Sequence, residues 1–396
     1  MEFYNFDEAP YSIKHGFYGG LAGDKDGIIL NNHNWIVKFP KSTELLNGTF
    51  SMPYTTAPLS EYIGSHIYKM LGINVHETLL GKRNGKVVVA CKDFCEDGYV
   101  LYEMKTIKNG ANKELSERLN TELHDSTTGD TVNLNELLLH LQYNPLLKKV
   151  DGISDHFWDM AIVDIFIENN DRNNGNWGIL INQNTGDIQI APVYDNGNSF
   201  ENKSDDIKLL QKIKAKDDNL FMGKRTTFEY NNHILSAKKM LKLNMPELQA
   251  AILRVYPKIE KEINQIVDFI KNIPNEVDGY EICSDIRKEA YITGLLIRKE
   301  QMLEPVYKKA LQKTQQLEND IYDKEDDFLQ LRTSHALIPN LSSGGTINPY
   351  NPYRNHWLIL GCYLIDRYRH VLIRFLENYA RVWFVNLPSN GPFPKS

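Results

Sequence analysis

The sequence predicts an α+β fold of two lobes, followed by a helical C-terminal extension. Three observations support this prediction: strand patterns dominate residues 1–98, helical apolar spacing dominates residues 99–304, and the composition changes again over residues 305–396. A chain of 396 residues is long enough for two or three structural units rather than a single core. We therefore expect a β-rich first lobe with one helix, a mainly helical second lobe and an extension of unassigned role.

In the first lobe, short apolar runs predict strands around a single helix. Residues 27–39 predict two strands joined at an Asn/His turn, and residues 41–58 predict a loop rich in Ser, Thr, Pro and Gly. Residues 59–71 carry apolar side chains at helical spacing, and a glycine ends the pattern. Residues 75–80 and 86–91 then predict a hairpin.

Beyond residue 98, apolar residues recur at helical spacing, which predicts helices over residues 133–141, 156–168, 233–243, 247–254, 258–272 and 280–303. The Asn-, Asp- and Lys-rich residues 201–220 predict a solvated loop. In the extension we expect a charged helix to about residue 331, a loop over residues 338–352 and a helix over residues 357–385. The aromatic stripe of that last helix favours packing on its own domain over a membrane or partner.

Composition and charge argue against several classes of protein. With 42% apolar and 24% charged residues, the chain has an ordinary globular composition. Its net charge of −6 gives no general basis for nucleic-acid binding. The four cysteines form no CxxC pair, so we predict neither a zinc site nor a disulfide framework. No secretory signal or membrane span is recognisable, and we expect a cytoplasmic protein.

The stretch 169–199, NNDRNNGNWGILINQNTGDIQIAPVYDNGNS, carries the strongest functional signal. Asp171 and Asn176 follow a predicted helix in a polar loop, a predicted hairpin over residues 177–193 comes next, and then Asp195. A loop carboxylate can accept the proton of a hydroxyl group. Asn176 and Asp195 can offer oxygen ligands to a magnesium ion that bridges nucleotide phosphates. The order therefore predicts the core of a phosphoryl-transfer enzyme.

Two other interpretations of this stretch are weaker. A calcium-binding loop would need glycine at its sixth position and glutamate at its twelfth, but glycine stands fifth and Asn182 twelfth. A surface turn without function would explain either the loop of Asp171 and Asn176 or the segment of Asp195 alone, because Asn and Gly are common in turns. The presence of both segments in this order favours a catalytic site.

The first lobe also offers candidates for nucleotide binding. Residues 15–27 contain five glycines, whose backbone N–H groups can approach phosphates, although a flexible hairpin tip has the same composition. Lys38 ends an apolar strand and can pair with phosphates, or else it is an edge lysine that reaches water. Glu61 can pair with Lys38, or else it is a first-turn acid favoured by the helix dipole.

Several motifs, IVKFP, SEYIGSHIYKMLGI, VVVACKDF, DRNNGNWG and APVYDNG, resemble those of the HipA-like serine/threonine kinases, above all the compact CtkA-like bacterial members. The resemblance covers about residues 10–300. It implies a two-lobed protein-kinase-like fold that transfers the γ-phosphoryl group of ATP to a protein hydroxyl with Mg²⁺ as cofactor. It further implies that Asp171 is the catalytic base and that Asn176 and Asp195 bind the metal.

The resemblance also implies a nucleotide site. Lys38 would bind phosphate with Glu61 as its partner, residues 16–25 would form the nucleotide loop, and residues 91–94 would form the hinge that holds adenine. The nucleotide-binding candidates besides Lys38 and Glu61 are therefore Gly16, Gly19, Gly20 and Lys25 in the loop and Cys91, Lys92, Asp93 and Phe94 in the hinge.

Three departures from the family pattern bear on function. Asn173 stands where the family commonly has His, so another group must replace that His. The nucleotide loop begins near residue 15, without the subdomain that precedes it in longer relatives. We therefore expect a small partner protein or an antitoxin besides the protein substrate. Finally, residues 16–27 contain no Ser or Thr, and Ser12 is the nearest candidate for autophosphorylation. The same core would also suit a toxin-type, lipid or small-molecule kinase, a host-directed effector, or an ATP-binding module without turnover.

Overall fold

The structure, a computed structural model, describes residues 1–16, 18, 25–45, 51–127, 129, 131–223 and 225–316. These residues all belong to one compact unit, Met1–Tyr322. The loop predicted over residues 338–352 and the helix predicted over residues 357–385 lie outside the described residues, as does the charged helix beyond residue 316. Among the described helices, none combines the length and hydropathy that a membrane crossing requires.

A five-stranded sheet forms the first lobe. Its strands are β1 (Tyr4–Asn5), β2 (Lys25–Leu30), β3 (His33–Lys38), β4 (Thr78–Arg83) and β5 (Lys86–Lys92), in the order β1-β4-β5-β3-β2. Asn84 and Gly85, with φ of 52° and 69°, form the tight turn between β4 and β5, because a two-residue hairpin of this twist needs positive φ at both positions. Both predicted hairpins are confirmed, although β4 begins three residues later than predicted.

One helix, α1 (Ala57–Met70), packs on this sheet, as the sequence predicted. Ile63 and Ile67 on its inner face are fully buried against Leu80 and Val89 of the sheet. This apolar contact fixes α1 against β4 and β5. It also buries Glu61, which precedes Ile63 and Ile67 along the helix, at 1% exposure.

A three-stranded antiparallel sheet contains the predicted hairpin of residues 177–193. Strands β8 (Gly178–Asn182) and β9 (Ile188–Ile190) form that hairpin, and β6 (Tyr99–Glu103) pairs with β8 on its other side. A side chain at Gly178 would place its Cβ 2.1 Å from the carbonyl oxygen of Tyr102. Glycine therefore permits the close approach of β6, which the sequence did not predict.

The second lobe is mainly helical, as predicted. Its helices are α2 (Met104–Leu119), α3 (Leu134–Tyr143), α4 (Ile153–Ile167), α5 (Asp206–Ala215), α6 (Ala237–Met240), α7 (Pro246–Lys271) and α8 (Asp285–Arg298). Short strands join them: β7 (Val132–Asn133), β10 (Phe228–Tyr230), β11 (His233–Ile234), β12 (Glu276–Val277) and β13 (Tyr280–Glu281). Helix α4 is almost entirely buried and packs against α7, so its end is a rigid platform for the loop that follows it.

Two predictions in this lobe were wrong in kind. Residues 201–220 are not a loop, because Asp205 caps the N-terminus of α5 and Leu209 is buried in a small core with Phe221. The helix predicted over residues 233–243 is instead strand β11 followed by the short α6. The backbone N–H of Leu235 pairs with Phe228 of the hairpin before a helix can start.

Other helices of this lobe were predicted with the wrong bounds. The helices predicted over residues 247–254 and 258–272 are the single helix α7, which runs through Pro257. Its buried stripe of isoleucines continues across the proline, and this packing offsets the lost backbone hydrogen bond. The helix predicted from residue 280 begins at Asp285, because Ser284 accepts the N–H of Arg287 as its cap.

Candidate active site

A cavity of about 690 Å³ lies between the sheet of the first lobe and the helical lobe. It is lined by Lys38 of β3 and Glu61 of α1 from one side, and by Asp171 and Asp195 from the other. The structure therefore brings together four residues that the sequence singled out, although up to 157 positions separate them. Asn176 does not line the cavity, but its side chain bonds to the backbone of Asp171.

Lys38 connects the two sides of this cavity. Its Nζ lies 2.9 Å from Oε2 of Glu61 and 2.9 Å from Oδ1 of Asp195. Burial opposes the charge of this ammonium group, but Asp195 and Glu61 outweigh burial and hold the pKa of Lys38 well above its ordinary value. Lys38 is therefore a fixed cation within the cleft, and the alternative of an edge lysine reaching into water is wrong.

Glu61 is itself held by two further groups. Its Oε1 lies 2.9 Å from Nε2 of His76 and accepts the backbone N–H of Asn196 at 2.9 Å. Burial alone would raise the pKa of Glu61, but Lys38 and His76 outweigh it, so this pKa lies below its ordinary value. A buried carboxylate with three partners positions Lys38, which a first-turn acid favoured only by the helix dipole would not do.

The loop after α4 orients Asp171 through asparagine side chains. Asn173 donates its amide to Oδ1 of Asp171 at 3.1 Å and accepts the N–H of Gly175 at 2.8 Å. Asn176 donates its amide to the backbone carbonyl of Asp171 at 2.6 Å, which turns the side-chain oxygen of Asn176 away from that bond. Asn173, the residue that departs from the family pattern, is thus the partner that fixes the Asp171 carboxylate.

Asp171 and Asp195 differ in their electrostatic surroundings. Burial raises the pKa of Asp171, Asn173 lowers it by hydrogen bonding, and the result lies above the ordinary value of 3.8. The ammonium group of Lys38 instead holds the pKa of Asp195 below its ordinary value. Asp195 adopts a left-handed backbone conformation with φ of 60°, and its side chain is 44% exposed to the cavity. The first carboxylate is suited to proton transfer and the second to binding a cation.

Arg172 ties these loops to the helical core, and the sequence prediction missed it. Its guanidinium group donates to both carboxylate oxygens of Asp164 in α4, at 2.8 and 3.1 Å. It also donates to the carbonyl oxygen of Asn176 at 2.8 Å, to that of Tyr194, and to Oδ1 of Asn196 at 2.6 Å. Both members of the Arg172–Asp164 pair are almost fully buried. One cation therefore fixes the loop of Asp171 relative to the loop of Asp195.

The same network reaches α1 in the first lobe. The hydroxyl of Tyr68 donates to Oδ1 of Asp164 at 2.8 Å, and the side-chain amide of Asn196 donates to Ser65 at 3.0 Å. At Gly64 an added Cβ would lie 3.0 Å from the side chain of Asn196, so glycine permits this approach. The lobes are thus connected by polar contacts around one buried ion pair.

The structure describes two of the four nucleotide-loop candidates, Gly16 and Lys25. Lys25 lies opposite Lys38 in the β2–β3 pairing and lines the cavity, and burial followed by the charge of Lys38 lowers the pKa of Lys25. Gly16 has φ of 84°, a conformation that suits glycine. Gly19 and Gly20 lie outside the described residues.

The hinge candidates lie beside the cavity rather than in its lining. Cys91 is buried in β5, and Lys92 is the last residue of that strand. Asp93 accepts the ammonium group of Lys14 at 2.7 Å and the hydroxyl of Tyr18 at 2.9 Å. The ring of Phe94 lies 5.6 Å from that of Tyr194, which places the end of this segment next to the loop of Asp195.

Glu61, His76 and Cys91 also form a buried cluster whose ligand-type atoms lie within 4.8 Å of one another. This cluster does not suit a metal ion. Lys38 and the N–H of Asn196 already use both oxygens of Glu61, and burial raises the pKa of Cys91, which keeps the sulfur as a thiol. The carboxylate of Glu61 therefore serves Lys38 rather than a metal.

Comparison with known proteins identifies the family. No protein-family model matches the chain. The serine/threonine-protein kinase CtkA of Helicobacter pylori strain J99 is 32% identical over 337 residues, which cover 82% of this chain and 94% of that protein. The crystal structure of the Helicobacter pylori proinflammatory kinase CtkA matches with a TM-score of 0.64 and 28% identity, covering 79% of this chain and all of that one. A HipA of Shewanella oneidensis, solved with HipB and operator DNA, gives a TM-score of 0.42.

The two matches to CtkA confirm the two-lobed kinase-like fold and the resemblance that the motifs indicated. The identity to CtkA extends over most of both chains, so it is a relationship between whole catalytic units rather than between isolated motifs. The chain belongs to the CtkA-like serine/threonine protein kinases and is a phosphotransferase.

Proposed function

We propose that this kinase transfers the γ-phosphoryl group of ATP to a serine or threonine hydroxyl of a protein and depends on Mg²⁺. The observation that carries the proposal is the position of Lys38, 2.9 Å from both Glu61 and Asp195, in the cavity that Asp171 also lines. Protein kinases use this set of groups: a strand lysine paired with a helix glutamate, a metal-binding aspartate, and a loop aspartate that accepts the hydroxyl proton.

The residues present fit a magnesium nucleotide. The carboxylate of Asp195 is partly exposed to the cavity and ionised, so it offers the oxygen ligand that Mg²⁺ prefers. Asn176 lies outside the lining, next to Asp171, and its amide oxygen would be the second oxygen ligand. Bound there, the ion would neutralise charge on the phosphates. Lys38 and Lys25 add two cations on adjacent strands that would hold the phosphates from the first lobe.

The residues of the chain supply positioning and proton transfer. Asp171 would accept a hydrogen bond from the acceptor hydroxyl and take its proton as the oxygen attacks phosphorus. Asn173 keeps the carboxylate in place, and Arg172 keeps the loops of Asp171 and Asp195 in register. Since phosphoryl transfer requires little covalent chemistry from the protein, this fixed geometry accounts for most of the catalysis.

We also propose that the kinase phosphorylates its own chain, as the family resemblance implies. Ser12, the nearest candidate in the sequence, is 4% exposed. Its hydroxyl donates to the side chain of Asn34 and accepts the N–H of Lys14. Because this hydroxyl is buried and already hydrogen-bonded, we expect the modified residue elsewhere in the chain.

Replacing Asp195 with Asn should weaken ATP binding in the presence of Mg²⁺ by about tenfold or more, because the carboxylate that would bind the ion is lost. Most of the difference in ATP affinity between Mg²⁺ and EDTA should therefore disappear. Isothermal titration calorimetry of ATP with excess Mg²⁺ and with EDTA measures this difference. Asp151→Asn, a change of an exposed aspartate, is the matched control. Equal dependence on Mg²⁺ in wild type and Asp195→Asn would refute the assignment of Asp195.

Replacing Asn173 with Ala should move the acid limb of the pH–rate profile to higher pH. Asp171 acts as a base only when ionised, so transfer increases as pH rises through its pKa. Asn173 stabilises the ionised form through its 3.1 Å hydrogen bond, and its loss raises the pKa of Asp171 further. The measurement is kcat/KM against pH, with Asn174→Ala, whose side chain contacts Ser126, as control. If the acid limb of Asn173→Ala lies at the same pH as that of the wild type, Asp171 is not the titrating base.

A further inference from the structure

The lining of the cavity includes residues that the nucleotide assignment does not use. Its lining includes three cationic side chains, Lys41, Lys203 and Arg225, which we call the basic rim. All three residues are exposed, and none forms an ion pair with any other described residue. The acidic residues in the described lining are Glu61, Asp171 and Asp195, and all three belong to the catalytic set. Apart from Asp171, which Lys203 approaches, the described lining offers the basic rim no carboxylate of its own.

Two members of the basic rim, Lys203 and Arg225, lie beside the catalytic loop of Asp171. Arg225 lines a small neighbouring cavity together with Asn169 and Asn170 of that loop. Lys203 is close enough to Asp171 to lower the pKa of its carboxylate. Lys38 and Lys25 approach Asp195 from the sheet instead. An acceptor hydroxyl that reaches Asp171 would therefore bring its flanking residues beside Lys203 and Arg225.

The backbone on either side of Lys203 is anchored. The side chain of Asn202 donates to the carbonyl oxygen of Gly197 at 2.6 Å. On the other side, the carbonyl oxygen of Ser204 accepts the guanidinium group of Arg287 at 3.0 Å. Since both neighbours are fixed to the core, the backbone of Lys203 has a defined position at the cavity.

The segments that carry the other two cations are fixed in the same manner. Thr226, next to Arg225, donates both its hydroxyl and its N–H to the carbonyl oxygen of Leu235, at 2.8 and 2.9 Å. The carbonyl oxygen of Lys41 accepts the N–H of Thr55 at 2.9 Å.

We propose that this kinase selects acidic acceptor segments, in which Asp or Glu residues flank the serine or threonine, and that the basic rim binds those carboxylates. This inference rests on the proposed function. The supporting argument is electrostatic: three cations on anchored segments, unpaired among the described residues, favour an anionic segment in the cavity and disfavour a basic one. The net charge of −6 for the whole chain gives no indication of this local surface.

Peptide binding tests this inference without requiring catalysis. The probes are two fluorescein-labelled peptides with one central serine, flanked by Asp and Glu in one and by Lys in the other. Fluorescence anisotropy with the full chain and ADP·Mg²⁺ gives the Kd of each. We expect the acidic peptide to bind at least about tenfold more tightly, and the difference to shrink as salt is raised.

The double variant Lys203→Glu/Arg225→Glu should lose or reverse this preference. Lys239→Glu/Lys242→Glu, which changes two exposed lysines outside the cavity lining, should retain it. Equal affinity of wild type for both peptides would overturn the inference. A preference for the acidic peptide that persists in Lys203→Glu/Arg225→Glu would overturn it as well. If the wild type transfers no phosphate to any peptide, the proposed function fails. The comparison of peptide affinities still tests whether the cavity prefers an acidic segment.

Discussion

Replacing Asp171 with Asn should reduce the rate of phosphoryl transfer by about 10²–10⁴-fold, the usual contribution of a positioned acid or base. The amide has the shape of the carboxylate and can keep the hydrogen bond from Asn173, but it cannot accept the proton of the attacking hydroxyl. The nucleotide would be held by Lys38, Lys25 and Asp195, so ATP affinity should change little. The measurements are label transfer from γ-labelled ATP to protein and calorimetric titration of ATP.

The matched control is Asp187→Asn. Asp187 is an exposed residue of the β8–β9 hairpin, and its carboxylate accepts the hydroxyl of Tyr99 at 2.6 Å, outside the cavity lining. This variant should keep the wild-type rate. If Asp171→Asn also keeps it, or if it loses ATP affinity and rate in equal measure, Asp171 is not the base.

Replacing Arg172 with Ala should destabilise the fold by about 3–5 kcal/mol, because Asp164 would remain as a buried charge without its counter-ion. The same change removes the donors to Asn176, Tyr194 and Asn196, so the active-site loops would lose their common anchor as well. Urea unfolding followed by circular dichroism measures the loss of stability.

Arg254→Ala is the control for removing a paired arginine. Arg254 bonds to Asp159 and Asp155, but its side chain is 28% exposed, so water can replace it and the expected cost is about 0.2–1 kcal/mol. We therefore predict that Arg172→Ala loses more free energy of unfolding than Arg254→Ala. Similar small losses for both variants would mean that the Arg172 pair is not what holds this part of the fold together.

The sequence alone predicts the parts of this site that are close together along the chain. Asp171 and Asn176 share one loop and Asp195 follows after a hairpin, so their order along the chain is informative by itself. Lys38 and Glu61 are also recognisable, because an apolar strand that ends in lysine requires a partner. Their pairing is confirmed, with Asp195 as the additional partner of Lys38.

The groups that hold those residues in place are not recognisable in the same way. His76 contacts Glu61 only after β4 and α1 have packed, and nothing in the alternating pattern around it marks it out. Asp164 gives a usable signal, since a lone acid deep within the apolar run of α4 must find a buried cation. Its partner Arg172 lies within the Asp-Arg motif, but the motif points to Asp171 and leaves the role of the arginine open.

The errors in secondary structure have a common physical origin. Residues 201–220 are polar in composition, and only tertiary burial of Leu209 and Phe221 makes helix the preferred state there. Pro257 suggested a break that the continuous buried stripe of α7 overrides. In both cases, packing against distant residues outweighs a local preference that the sequence shows correctly.

The reaction proposed for this cleft moves the γ-phosphoryl group of ATP to serine or threonine. Incubation of the chain with Mg²⁺ and ATP labelled at either the α- or the γ-phosphate, followed by mass spectrometry of the labelled residues, distinguishes this reaction from others. We expect label from γ-ATP on serine or threonine, none from α-ATP, and none from either when EDTA is present. Label retained from α-ATP would show nucleotidyl transfer, and no label from either in the presence of Mg²⁺ would show that the chain does not perform this transfer. Either result would refute the proposed kinase activity.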